Sequence, residues 1–170
     1  MTTAGHDAGH DAGQRRAEVL IASTRAAAGV YEDRTGPVIR DWLAGHGFRT
    51  GDPVVVPDGE AVGAALRALL LGAPRVVLTS GGTGLSPTDA TPEMTLPLLD
   101  REVPGIMEAI RAAGLAKTPR AALSRGYAGT AGTALIVNLP GSPGGVADAL
   151  AVLDPIIGHV CDQMEGENGH

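Results

Sequence analysis

At 170 residues, 44% of them hydrophobic but only 2% aromatic, the chain has the length of one domain whose core must be built from Ala, Val, Leu and Ile, which suits layered helices and strands. A formal charge of −6 argues against a nucleic-acid protein, whose affinity comes from Lys and Arg and the counterions they release; a small anionic ligand stays open. One cysteine, Cys161, excludes a disulfide within the chain and points to a reducing compartment.

Residues 1–14 carry the repeat Gly-His-Asp-Ala-Gly-His-Asp-Ala-Gly, which has no large apolar group to bury and is expected to be a flexible tail. His6, His10, Asp7 and Asp11 are metal-type ligands, but ordering a mobile segment costs entropy, so no function is assigned to them. One domain is expected over 15–166. No apolar run approaches the ~20 residues of a membrane span. The N-terminus also lacks the basic-then-apolar stretch of a signal peptide, so a cytoplasmic protein with no membrane partner is expected.

From Ala17 short β-branched runs alternate with longer amphipathic stretches, the mark of a sheet with helices on both faces. Strands are expected at Glu18–Ala22, Pro53–Val56, Arg75–Thr79 and Ala134–Leu139. Helices are expected from Gly36-Pro37 to about Gly45, from Gly59 to Leu71, and from Pro104 to Ala113. Thr91-Pro92-Glu93 reads as an N-cap, a first-turn proline and a first-turn acid, opening a segment toward Leu99. The last helix should begin after the Pro/Gly cluster at 140–145 and run toward Met164, with Pro155 as a kink. Ser124–Gly132 reads equally as an edge strand or a loop.

In such sheets ligands gather at the carboxyl ends of strands. Thr79-Ser80-Gly81-Gly82-Thr83-Gly84 follows one strand directly, and its glycines would let backbone N–H groups approach an anion. It is neither a Walker A loop nor a dinucleotide fingerprint, and a plain turn is the alternative. Asn138-Leu139-Pro140-Gly141-Ser142-Pro143 follows another strand and opens a helix, whose N-terminus favours a phosphate; Ser142 also reads simply as a cap. Asp58 and Asp89 each read alone as turn aspartates, but beside a bound triphosphate they would require a hard cation between the charges. His46, His159 and Cys161 fit no hydrolase or zinc pattern.

Taken together, Thr79 to Gly84, Asp89-Ala90-Thr91-Pro92-Glu93, Leu123-Ser124-Arg125 and Asn138 to Pro143, in this order and spacing, resemble the Mog/MoaB family of molybdopterin-binding proteins. Asp33-Arg34-Thr35-Gly36 and Val56-Pro57-Asp58 extend the resemblance, which runs from about Val19 through the C-terminal helix. It implies a three-layer α/β/α fold with a mostly parallel sheet, a homo-trimer or hexamer, and AMP transfer from ATP to molybdopterin with Mg²⁺. The pathway's molybdenum-insertion enzyme is a candidate further partner. Functional aspartates then map onto Asp58 and Asp89, which would also hold Mg²⁺. The phosphate, pterin and ATP contacts map onto Ser80, Gly81, Gly82, Thr83, Gly84, Ser124, Pro140, Gly141 and Ser142. The alternative within the family is a catalytically silent molybdopterin-binding or scaffold protein. A nucleotide-binding module with another substrate is a third reading. Two positions depart from the family's pattern: Ser23-Thr24 where Ser-Asp is common, and Gly144-Gly145 where a lysine is. Arg25 and Arg125 are the cations that could compensate, or surface residues with snorkelling stems.

Overall fold

The computed structural model describes residues 13–166. The expected tail lies outside them up to residue 12; Gln14, at its end, donates to Gly47 O at 2.9 Å. The chain runs through β1 (Arg16–Ala22), α1 (Thr24–Ala27), α2 (Thr35–Gly45), β2 (Arg49–Thr50), β3 (Val54–Val56), α3 (Glu60–Leu70) and β4 (Val76–Ser80). It continues through α4 (Thr91–Thr95), β5 (Arg101–Glu102), α5 (Pro104–Leu115), β6 (Ala128–Ala131), β7 (Ala134–Leu139), α6 (Pro143–Leu153) and α7 (Ile157–Met164).

The strands form one sheet in the order β2-β1-β4-β7-β6-β5, with β3 pairing the far end of β1. The pairings of β1 with β2, β3 and β4, and of β4 with β7, are parallel; β5, β6 and β7 pair antiparallel. Strands buried on both faces need apolar side chains throughout. In β1, Val19 and Ile21 enter one core cluster while Leu20 and Ala22 enter the other. The first cluster also holds Ile39 and Leu43 of α2, Ile110 of α5, Leu150 of α6 and Ile157 of α7. The second holds Val62 and Leu66 of α3. The result is the expected three-layer α/β/α arrangement.

Local chemistry accounts for where the elements differ from expectation. α4 ends at Thr95 and gives way to a 3-10 turn, Leu96–Leu98, because Pro97 cannot continue an α-helical ladder. Pro155 does more than kink the last helix: α6 and α7 are separate and bent by 57°. Ser124–Gly132 resolves into a loop followed by β6, with Gly132 at φ +56° turning the chain into β7. β2, β5 and α1 went unread because two to four residues are too few to show a period. Among the described residues no single helix is long and apolar enough to cross a membrane.

β1 leads through α2 to β2 and β3 on one side of itself, and α3 returns the chain to β4 on its other side. The direction of winding therefore reverses between β1 and β4, which opens a crevice at their carboxyl ends.

Candidate active site

The turn after β4 sits at the mouth of that crevice. Gly81 has φ +94°, and a β-carbon there would lie 2.3 Å from Ala22 O at the end of β1. Gly82 has φ +66°, and a β-carbon there would meet Thr91 Oγ1 at 2.2 Å and Asp58 Oδ1 at 3.0 Å. A β-carbon at Gly84 would meet Asp89 Oδ2 at 2.8 Å. The glycines therefore do more than the sequence suggested: they let β1 and both carboxylates close on the loop. Among the described residues none accepts a hydrogen bond from the N–H of Gly82, Thr83 or Gly84, which leaves a run of amide donors suited to an anion.

The loop after β7 is tied to this one. Ser80 is buried, and its hydroxyl donates to Pro140 O at 2.8 Å. A β-carbon at Gly141 would lie 3.2 Å from Gly81 Cα, so the two loops touch. Ser142 caps α6 by accepting from Gly145 N–H at 3.1 Å.

Asp58 follows β3. Its Oδ2 accepts from Thr24 N–H at 3.3 Å and from the Thr24 hydroxyl at 3.2 Å, and Thr24 Oγ1 accepts from Asp58 N–H at 3.1 Å. One of the two departures from the family's pattern is thus the residue that holds Asp58. Asp58 Oδ1 is buried without a hydrogen-bonding partner, a costly state for a carboxylate oxygen unless a ligand completes it. Asp89 Oδ2 accepts from Ser86 N–H at 3.0 Å.

Two cavities meet at the glycine loop. The first, about 730 Å³, has Glu32, Asp33, Asp58 and Asp89 on its wall, together with Ser80, Tyr31 and two cations, Arg25 and Arg34. Ser23 Oγ and Tyr31 Oη are 3.0 Å apart, and Arg25 lies 5.3 Å from the Tyr31 ring centroid. The second, about 560 Å³, is lined by Thr83, Gly84, Ser124, Ser142 and the cations Arg111, Lys117 and Arg120, with Asp148 paired to Lys117. Ser124 Oγ is buried there without a partner, while Ser124 O accepts from Arg111 at 3.2 Å. Gly82, Asp89 and Gly141 belong to both walls. Every sequence-predicted site residue therefore lies on one cavity or the other.

Beneath the loops lies a residue to which the sequence reading gave no role. Asn138, fully buried, donates to Thr79 Oγ1 and Thr95 Oγ1, each at 3.0 Å, and its Oδ1 accepts from Tyr127 N–H at 3.0 Å. It joins β4, α4 and the approach to β6 under the glycine loop. A buried amide in an otherwise apolar strand was the available signal. The Arg111, Lys117 and Arg120 cluster was also missed, since these residues look like helix and turn surface in sequence.

Other candidates are structural. His46 closes α2, with Nδ1 2.8 Å from Trp42 O and Nε2 2.8 Å from Asp154. Cys161 is buried, and burial pushes its thiol pKa up, away from nucleophilic chemistry. Among the described residues no group of three or more His, Cys, Asp or Glu is placed to hold a metal.

Comparison with known proteins gives a consistent picture. A family described as "probable molybdopterin binding domain" matches residues 18–159. The chain is 37% identical over 151 residues to a molybdenum cofactor biosynthesis bifunctional protein of Synechococcus elongatus, covering 88% of this chain and 47% of that one. It is 36% identical over 143 residues to the molybdopterin adenylyltransferase of Escherichia coli K12, covering 81% and 73%. The structure of the molybdopterin biosynthesis Mog protein from Mycobacterium ulcerans superposes with a TM-score of 0.85 at 53% identity, covering 88% of this chain and 99% of that one. The chain spans about half the length of the first curated relatives it matches.

Proposed function

The chain belongs to the family of probable molybdopterin binding domains, and from that premise we propose that it acts in molybdenum-cofactor biosynthesis, transferring AMP from ATP to the terminal phosphate of molybdopterin. The observation that carries this reading is the pair of cavities meeting at Gly82, Asp89 and Gly141. Joining two anionic substrates needs two adjoining chambers and a reaction point between them. The loop's unpaired amides are where developing charge would be met.

The nucleophile is an oxygen of the molybdopterin phosphate monoester, ionised at neutral pH. It forms a bond to the α-phosphorus of ATP while the bond from that phosphorus to the bridging oxygen breaks, and pyrophosphate leaves with the electron pair. No proton must be removed, so no catalytic His or Cys is required. The N–H groups of Gly82, Thr83 and Gly84 bind phosphate oxygens, and Ser80 keeps their loop against Pro140, Gly141 and Ser142. Arg111, Lys117, Arg120 and Ser124 receive molybdopterin in the second cavity.

Asp58 and Asp89 suit Mg²⁺, because Asp58 Oδ1 is buried and unpaired and because that ion takes one or two carboxylates and completes its shell from substrate phosphates and water. When bound it would supply charge neutralisation between the two substrates. Asp58 is held for that task by Thr24, and Asp89 by the turn at Ser86.

We place this reaction in the cytoplasm and in a homo-trimer or hexamer. Light scattering checks the assembly. The decisive experiment is pyrophosphate release by the purified protein with molybdopterin, ATP and Mg²⁺, omitting each in turn. Release that needs all three is expected. Tight molybdopterin binding without release would instead make the chain a silent binding protein.

A further inference from the structure

Arg125 lies between the Pro119–Leu123 turn and β6, and it reaches across to the segment that carries Asp89. Its Nε donates to Gly84 O at 2.8 Å and its Nη2 donates to Asp89 O at 3.0 Å. Its Nη1 pairs with the carboxylate of Glu93, and its backbone N–H donates to Thr83 O at 2.9 Å. One residue thus holds both ends of the Gly84–Asp89 loop and the start of the helix beyond it. The loop itself is thinly anchored: Leu85, Ser86, Pro87 and Thr88 are exposed, and its internal bonds are Asp89 N–H to Ser86 O at 2.9 Å and Ser86 N–H to Asp89 Oδ2 at 3.0 Å. Arg125 is on the wall of neither cavity that meets at the glycine loop. Its guanidinium donors are turned to the protein's own carbonyls and to Glu93. All three of its guanidinium nitrogens are thus engaged within the chain.

We propose that Arg125 is a positioning residue for adenylyl transfer, fixing the backbone of Gly84 and Asp89 so that the Asp89 carboxylate is held at the junction of the two cavities. This rests on the reading in which Asp89 serves that reaction. The planar fork of a guanidinium can serve Gly84 O, Asp89 O and Glu93 at once, whereas a single ammonium on a flexible stem cannot. Glu93 keeps its carboxyl below the ordinary carboxylate range through its hydrogen bond to Arg125, in line with a persistent contact.

The test compares the full chain with Arg125→Lys and Arg125→Met by three readouts: hydrogen exchange of the Ser86, Asp89 and Thr91 amides, molybdopterin affinity, and the kcat and KM of pyrophosphate release. Arg125→Lys should speed exchange at those three amides while leaving the sheet amides and the melting midpoint nearly unchanged. Molybdopterin affinity should stay within about two-fold, and kcat should fall by roughly ten-fold or more at similar KM, the size expected for a misplaced group near the reaction. Arg125→Met should go further in the same direction. Unchanged exchange at the three amides overturns the proposal, and so does a loss confined to molybdopterin KM, which would make Arg125 a ligand. If the unaltered chain releases no pyrophosphate, the adenylyl-transfer reading fails by itself. The clamp then stands or falls on exchange: local loosening upholds it, and unchanged or uniform exchange sinks it.

Discussion

Asp58 and Asp89 look alike in sequence, each an aspartate in a turn, yet their surroundings differ. Asp58 is gripped by Thr24 at one oxygen and buried unpaired at the other, whereas Asp89 accepts from Ser86 N–H within its own loop. Removing the Asp89 carboxylate frees one exposed loop amide and opens no cavity in the core. Asp89→Ala should therefore keep the melting midpoint within a few degrees and bind molybdopterin within a few-fold, while pyrophosphate release falls by about 100-fold or more, the usual scale for lost charge stabilisation at a reaction point. Release at the unaltered rate would remove Asp89 from the mechanism. That an aspartate stands in each of these turns was legible in the sequence. The grip of Thr24 was not, because Thr24 and Asp58 are 34 positions apart and meet only because β3 lies parallel beside β1.

Among the elements, the start of α6 carries the second departure from the family's pattern. A β-carbon at Gly144 meets nothing within 4 Å, and this position lines the second cavity, while a β-carbon at Gly145 would press on Pro140 Cβ at 2.6 Å. Gly144→Lys should fold, with stability changed by no more than about 1 kcal/mol, and should lower the molybdopterin KM several-fold at low salt, an effect that fades as salt screens it. Gly145→Lys should displace Pro140 and lose both stability and activity. Equal behaviour of the two variants in thermal melting and steady-state kinetics would contradict the steric argument. β7 offers a second prediction at this scale. Asn138→Leu strands the buried Thr79 hydroxyl and frees the Tyr127 N–H, while the Thr95 hydroxyl keeps its bond to Thr91 O, so unfolding free energy should drop by about 1–3 kcal/mol in urea titration. Long elements with clear period or punctuation, such as β1, β4, α3 and α5, were readable along the chain. β2, β5 and β6 owe their strand form to the partners beside them.

For the molecule as a whole, charge pairs join distant segments. Arg15, just before β1, bonds Asp162 at 2.5 Å and Glu165 at 2.7 Å, and Arg75, just before β4, reaches Glu165 at 3.0 Å. The hydrogen bond from Arg15 holds the Glu165 carboxyl below its ordinary range. A carboxyl depressed in the folded state contributes stability that is full above its unfolded pKa, about 4.3 for glutamate, and lost as pH falls through the folded value. Thermal midpoints should therefore drop below about pH 4. Arg15→Met should flatten that dependence by on the order of 1 kcal/mol, given the partial exposure of the pair; an unchanged acid slope would assign it to other carboxylates. The order of loops and strands along the chain was enough for the sequence alone to determine the α/β class, the layered core and which turns face the carboxyl edge, because hydrophobic period and Gly/Pro punctuation are local properties. Only the tertiary structure decided that two cavities meet at the glycine loop, that Asn138 supports it from below and that Arg125 bonds Gly84, Asp89 and Glu93, because each depends on crossings that bring residues 24, 58, 89, 125 and 138 to one place.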